Sequence, residues 1–243
     1  MLNKINGLLN RWKYCLKTFN VERVEIDPES IAPLGYYSQY GQDKLIVETI
    51  LPGLRNGIFI DIGAHDGVKL SNTFFLEEKL GWTGLAIEPI PEVFAKLKNN
   101  RKCALVNGCV SANSGKSQFQ IVTGYGEMLS GLRDEHHERH LKRINREMAD
   151  FGGSTNIIEV ECFTLNQLLE VHRIKRVDYL TIDAEGAEYS ILSNFDFSSY
   201  SVQVIGLENN YKDCRMLDLL RKNGYRLHSI LDCDEFYVKK LSK

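Results

Sequence analysis

No stretch of the sequence approaches the ~20 consecutive apolar residues of a membrane span. The N-terminus has neither the continuous apolar core nor the small-residue cleavage site of a secretory signal. None of the six cysteines, at 15, 103, 109, 162, 214 and 233, forms a CxxC pair. The plain reading of such cysteines is reduced thiols packed in the core of a cytoplasmic protein, with no disulfide framework, zinc site or redox motif. A net charge of −2 provides no basic field to gather nucleic acid. There are no internal repeats and no low-complexity tract. What remains is an ordinary globular balance, 43% hydrophobic and 26% charged, which excludes disordered and fibrous classes. At 243 residues the chain fits one large domain and can bury a core without staples.

Residues 1–20 stand apart. Lys4, Arg11, Lys13 and Lys17 meet no acid, so +4 here against −2 overall leaves −6 for the rest. Leu2, Ile5, Leu9, Trp12, Leu16 and Phe19 recur at spacings of three and four, one face of an amphipathic helix. Such a helix either docks on the domain or a second subunit, or lies on an anionic membrane. Residues 21–37 have no clean period and read as a linker. The expected division is therefore 1–36, helix and linker, and 37–243, the main domain.

From Gly57 onward short apolar runs alternate with helical patterns. The runs are 58–62, 84–87, 104–110, 177–182 and 202–207; the helices are 69–80, 91–99, 164–172, 187–194 and 212–223. Runs without alternation belong to strands buried on both faces, and the strand–helix rhythm predicts a parallel sheet with crossover helices. The rhythm breaks at the C-terminus, where 225–231 and 235–240 flank Asp232-Cys233-Asp234. That pattern predicts a hairpin, and with it one antiparallel strand. Between the third and fourth strands lies an insertion. It has two strand-like runs (118–122 and 157–162) around a charged segment, 132–151. Leu141, Ile144, Met148 and Phe151 form a narrow apolar stripe there, so the insertion is expected to cover a site.

Chemistry gathers at the strand ends. The first strand runs into Asp61-Ile62-Gly63-Ala64-His65-Asp66-Gly67, a glycine turn that lets a ligand approach the backbone. Its G-x-x-x-G spacing differs from the G-x-G-x-x-G of dinucleotide folds. Asp61 suits a cation better than a pyrophosphate, which favours S-adenosylmethionine, with its ammonium and sulfonium, over a nicotinamide dinucleotide. Glu88, 25 residues after Gly63, can accept hydrogen bonds from a ribose diol. The fourth strand leads into Asp183-Ala184-Glu185, the fifth into Glu208-Asn209. Asp183, Glu208 and Asn209 together make a hard-cation set suited to Mg²⁺. The alternative is that Asp183 and Glu185 only cap the next helix. In the insertion, His136 and His140 share a helical face. They are either a solvated face or candidate bases brought over the site. His65 either contacts cofactor or bonds to backbone.

At these residues the chain resembles the FkbM family of S-adenosylmethionine-dependent methyltransferases, over roughly Tyr37 to Lys240. The marks are Ser38–Asp43, Phe59–Gly67, Ser71-Asn72-Thr73, Ala86–Pro89, Met128–Gly131, Cys162–Leu169, Asp183–Glu188 and the final hairpin. The resemblance implies an α/β, Rossmann-like class I methyltransferase fold. Its seven-stranded, mostly parallel sheet would carry an antiparallel C-terminal strand and an inserted helical and β cover. It implies O-methylation, commonly of sugar or polyketide hydroxyls. Carried over by position, Asp61, Gly63 and Gly67 line the methionine end, and Ala64, His65, Ser71, Asn72 and Asp183 are further expected cofactor contacts. Glu88 holds the ribose with Pro89 beside it, the Asn107–Val110 stretch lies near adenine, and Gln42 and Asp43 close over the cofactor. Asp183, Glu185, His136 and His140 are the expected catalytic residues, and a sugar hydroxyl, in a glycan or glycolipid, the expected acceptor. The rivals are a nicotinamide-dependent oxidoreductase and a non-catalytic cofactor-binding scaffold. Nucleic acid is not an expected partner: no basic, aromatic-lined stripe occurs.

Overall fold

A computed structural model describes residues 21–240; the basic segment 1–20, with its expected helix and membrane contact, lies outside the described residues. Twelve strands are seen among the described residues. They are β1 (Glu22–Val24), β2 (Ile58–Ile62), β3 (Thr83–Glu88), β4 (Ala104–Asn107), β5 (Cys109–Val110), β6 (Gly115–Val122), β7 (Gly131–Leu132), β8 (Thr155–Phe163), β9 (Arg176–Ile182), β10 (Ser201–Glu208), β11 (Tyr225–Leu231) and β12 (Asp234–Lys239). The longer helices are α1 (Phe74–Leu80), α2 (Pro91–Asn100), α3 (Glu138–Phe151), α4 (Leu165–Val171), α5 (Glu188–Ser193) and α6 (Cys214–Lys222).

Eight strands form the main sheet in the order β1-β11-β12-β10-β9-β2-β3-β4. β12 runs antiparallel to both its neighbours, and the other pairs are parallel. The apolar runs are continuous because both faces are covered. Along the strands, alternate residues enter opposite cores. Ile60, Leu180, Ile205 and Tyr237 pack on one side with α4, α5 and α6. Phe59, Tyr179, Val204 and Phe236 pack on the other with Leu45, Ile46 and Trp82. Each fully buried Ile, Leu or Phe contributes about 1.5–3 kcal/mol, so the middle of this sheet is the rigid part on which the strand ends are mounted.

Four expectations change. Residues 21–37 are not a simple linker: Glu22–Val24 pairs in register with Ser229–Leu231, adding an eighth strand to the seven expected. The run 104–110 is two strands in different sheets. Its break falls at Gly108, where a Cβ would sit 2.7 Å from the Glu161 carbonyl oxygen and 2.8 Å from the Phe163 ring. The helix expected over 69–80 starts only at Phe74. Leu70 has a left-handed φ of 56°, and the Ser71 hydroxyl accepts hydrogen bonds from the amides of Thr73 and Phe74.

The insertion forms a second sheet, β5-β8-β6-β7, with α3 laid against it. The inward stripe of α3 is not the one expected. Ile144 is buried and Met148 half-buried against Val122 and Leu129, but Leu141 is 40% and Phe151 60% exposed. His140, fully buried, takes the place expected for Leu141.

Candidate active site

The chain leaves β2 toward β3 on one side of the sheet, while β9 flanks β2 on the other. Ligands in open α/β sheets bind beyond the carboxyl ends at such a switch point. Here the two strand ends are stitched together: the Asp183 amide donates to the Ile62 carbonyl at 3.0 Å. A Cβ on Gly63 would lie 2.1 Å from the Asp183 carbonyl oxygen, and φ is +87°. Only glycine fits both restrictions.

Two cavities open here, one of about 590 Å³ and one of about 90 Å³, and Gly63, His65, Asp183 and Glu185 line both. The larger is acidic. Asp61, Asp183, Glu185, Glu208 and Asp234 line it, each at or just beyond the end of a main-sheet strand. Asp183, Glu185 and Glu208 each bring an oxygen within 4.8 Å of the others. The Asp183 carboxyl, open to the cavity but crowded by protein, stands well above its usual range, first through desolvation and then through Glu208, Asp234, Glu188 and Asp61. Glu185 is raised by burial and then by Glu208 and Asp183, and Glu208 by burial. Burial, with Glu208 and Asp232 nearby, pushes Asp234 up to about 7. Acids this close disfavour joint ionisation until a cation joins them.

Asp61 sits deeper. Its Oδ2 accepts from the Thr73 hydroxyl at 2.5 Å, and the buried Arg101 guanidinium lies 3.9 Å away. Arg101 is held in turn by Glu77 at 2.6 Å and by the Gly67 carbonyl at 3.2 Å. Burial raises the Asp61 carboxyl, opposed by Arg101 and Thr73. In the smaller cavity, Glu88 accepts from the amides of His65 (3.1 Å) and Ile90 (2.8 Å). Burial still pushes its carboxyl up to about 7. Pro89, Val110, Phe119 and Leu132 give that cavity apolar walls.

Most expected residues meet here. Gln42, Asp61, Gly63, Ala64, His65, Ser71, Asn72, Asp183, Glu185 and Glu208 line the larger cavity, and Glu88, Pro89 and Val110 the smaller. Gln42 donates to Asp234 at 2.6 Å, tying the N-terminal segment to the hairpin turn. Asp43 does not reach the cavity; Ser38 and the Tyr37 and Lys44 amides bind it.

Five assignments are corrected. Gly67 lines neither cavity: a Cβ there would meet Leu97 and Arg101 at 2.6 Å, so it seats α2 on the turn. Asn107 is exposed and braces the backbone, donating to the carbonyls of Glu88 and Pro89. Asn209 is no cation ligand. Its oxygen accepts from the Asp213 amide at 2.7 Å and its amide donates to Glu235 at 2.9 Å, and Glu185 stands in its place beside Asp183 and Glu208. His136 and His140 line neither cavity; they lie behind Glu185. His140 Nε2 lies 2.9 Å from the Leu129 carbonyl oxygen and Nδ1 3.4 Å from Glu185. Burial, and then the neighbouring His140, pushes His136 down to about 4. Neither Asp183 nor Glu185 caps α5, which has no side-chain cap; Glu188 instead binds the preceding turn, accepting from the Ala184 and Gly186 amides at 3.1 Å. The turn it holds leaves Glu185 at a left-handed φ of 50°.

Sequence reasoning missed Asp234, Arg101 and Tyr179, the last lining the larger cavity from β9. Asp234 had a signal: the hairpin turn lies opposite the fifth strand's acidic end, and the register pairs it with Glu208. Arg101 and Tyr179 had none beyond their place in buried elements.

Among the described residues no helix is long and apolar enough to cross a membrane. A curated relative, "Methyltransferase 1" of Beauveria bassiana, is 28% identical over 156 residues, covering 60% of this chain and 61% of its own. The chain thus spans about three fifths of that relative's length. The crystal structure of a methyltransferase FkbM from Methylobacillus flagellatus matches 87% of this chain and 50% of its own, with a TM-score of 0.48 at 11% identity. A TehB-like SAM-dependent methyltransferase from Corynebacterium glutamicum matches 98% of this chain and 97% of its own, with a TM-score of 0.39 at 13% identity. The profile of the methyltransferase FkbM domain matches residues 61–227, from the acid at the end of β2 into β11. The chain belongs to the FkbM methyltransferase family.

Proposed function

We propose that the chain is an S-adenosylmethionine-dependent O-methyltransferase whose acceptor is a hydroxyl of a sugar in a glycan or glycolipid. A divalent cation such as Mg²⁺ would assist. The observation that carries this reading is the joining of two kinds of site at one switch point. A buried acid and a small apolar cavity suit an aminoacyl nucleoside, and a three-carboxylate cluster suits a cation and a hydroxyl.

The residues fit the cofactor. Glu88 keeps lone pairs for a ribose diol beside its two backbone amides, and Val110, Phe119 and Leu132 offer an apolar slot for adenine. Asp61 and its neighbouring acids favour the ammonium and sulfonium. When bound, S-adenosylmethionine would supply an activated methyl group. The chain's own part is to orient the hydroxyl and take its proton. Carboxyls raised toward neutrality match that task, because a base works best with a pKa near the working pH. Asp183 and Glu208 would share the cation with Glu185, lowering the acceptor hydroxyl's pKa. Rate from holding the reacting atoms close and in line would add to this. His140 would not touch the acceptor; it would position Glu185.

Calorimetric titration with S-adenosylhomocysteine, with and without Mg²⁺, tests the reading. Micromolar binding is expected, with Mg²⁺ needed for turnover on glycan acceptors. Absence of binding under both conditions removes the methyltransferase reading and moves the nicotinamide and scaffold rivals to the front.

A further inference from the structure

We propose that Cys109 and Cys162 form a peroxide-oxidised dithiol in the wall of the smaller cavity. β5 and β8 run parallel, and these cysteines are register partners. Register partners in a sheet point to the same face, with Cα atoms about 4.8 Å apart. That separation falls inside the span of about 4.4–6.8 Å that a disulfide bridges. Both side chains are buried in one small cluster with Phe119, Leu132 and Val160.

The two sulfurs are not equivalent. The contact between the two pulls Cys162 down and pushes Cys109 up, and the Ser117 hydroxyl lowers Cys162 further. Burial pushes Cys103 up to about 12 and raises Cys233 too. The thiolate is the reactive form. Cys109 lines the smaller cavity, whose 90 Å³ admits a molecule near the size of water, roughly 30 Å³.

The chemistry balances. The Cys162 thiolate attacks one peroxide oxygen, the O–O bond breaks, and hydroxide leaves to combine with the proton the thiol had released. Cys162 is then a sulfenic acid. The Cys109 sulfur attacks it, the S–O bond breaks, and a second water leaves with the Cys109 proton. Two thiols and one hydrogen peroxide yield one disulfide and two waters; the thiols lose two electrons and the peroxide gains them. One consequence rests on the function proposed above: a nucleoside in the smaller cavity covers Cys109 and shields the pair.

The full chain is treated with hydrogen peroxide and digested under non-reducing conditions, and its peptides are weighed. A Cys109–Cys162 cross-linked peptide is expected in the wild type. In Cys109→Ser, Cys162 should instead stop as a sulfenic acid that dimedone traps. Wild type in which both thiols stay reduced, or in which Cys214 or Cys233 oxidises first, overturns the proposal. S-adenosylhomocysteine at ten times its dissociation constant should slow cross-linking about tenfold. If it binds by calorimetry and leaves the rate unchanged, entry through the smaller cavity is wrong. If it does not bind at all, the methyltransferase reading fails while the cross-link still decides the dithiol.

Discussion

Asp183 bridges every part of the site: it follows β9, lines both cavities and faces Glu185 and Glu208. Asp183→Asn removes the charge and keeps the shape. Turnover should fall about 10²-fold or more, as for loss of an acid–base or cation-holding group. S-adenosylhomocysteine affinity should change little, because Asp61 and Glu88 remain. Full turnover in the variant would sink the assignment. Gly63→Ala tests the stitching of the strand ends. A left-handed φ costs an L-residue roughly 1–2 kcal/mol, before the Asp183 carbonyl gives way. With about 2–4 °C per kcal/mol in a chain of this size, a thermal melt should show a midpoint several degrees lower. At this scale the sequence exposes acids at strand ends well, since an acid after an apolar run has few structural uses. It hides how a polar side chain is spent. Asn209 looks like a ligand until the Asp213 amide and Glu235 take its atoms. Gly67 looks like a ligand-loop glycine until α2 is seen against it.

The cover is the element most open to separate movement. α3 is fastened through Ile144, Met148 and His140 to Val122 and Leu129, a cluster distinct from the two cores of the sheet. Ile144→Ala should cost about 2–4 kcal/mol locally. Hydrogen exchange should then quicken over 138–151 while β2, β9 and β10 keep their protection. Equal loss across the main sheet would show that cover and sheet unfold as one. The strands of the main sheet were readable because burial on both faces leaves continuous apolar runs. α3 was readable as a helix but not as to its facing. The apolar stripe through Leu141 and Phe151 competes with one through His140, and it is the hydrogen bond to the carbonyl of Leu129 that makes a buried imidazole the better choice. The break at Gly108 was invisible for a similar reason: it depends on the approach of Phe163 from a distant strand.

Over the whole molecule, the acidic cavity sets a cost that pH reveals. A carboxyl raised in the folded state binds protons that the unfolded chain has already lost, so stability falls as pH rises between the two pKa values. Glu88, Glu188 and Asp234, each pushed up to about 7, act this way above about 4.5, and Asp183, Glu185 and Glu208 add to them. His65, His136 and His140 act oppositely. Their folded pKa values are lowered, so they favour folding as pH rises toward 6.5 and then contribute nothing further. Cys162, which is lowered, also favours folding as pH rises, but it is one group against the raised carboxyls, which Asp61 and Asp43 join. Between pH 6.5 and 7.5 the carboxyls therefore prevail, and the melting midpoint of the ligand-free protein should drop. Mg²⁺ tests the cause. A cation at Asp183, Glu185 and Glu208 needs them ionised, so it competes with protons. At ten times its dissociation constant at pH 7.5, Mg²⁺ should stabilise the fold by about 1.4 kcal/mol, and by clearly less at pH 6. A midpoint that Mg²⁺ shifts equally at both pH values, or at neither, would leave the strand-end acids without a metal. The cation they await would then have to be the sulfonium and ammonium of the methyl donor, and S-adenosylmethionine would restore the midpoint where Mg²⁺ could not.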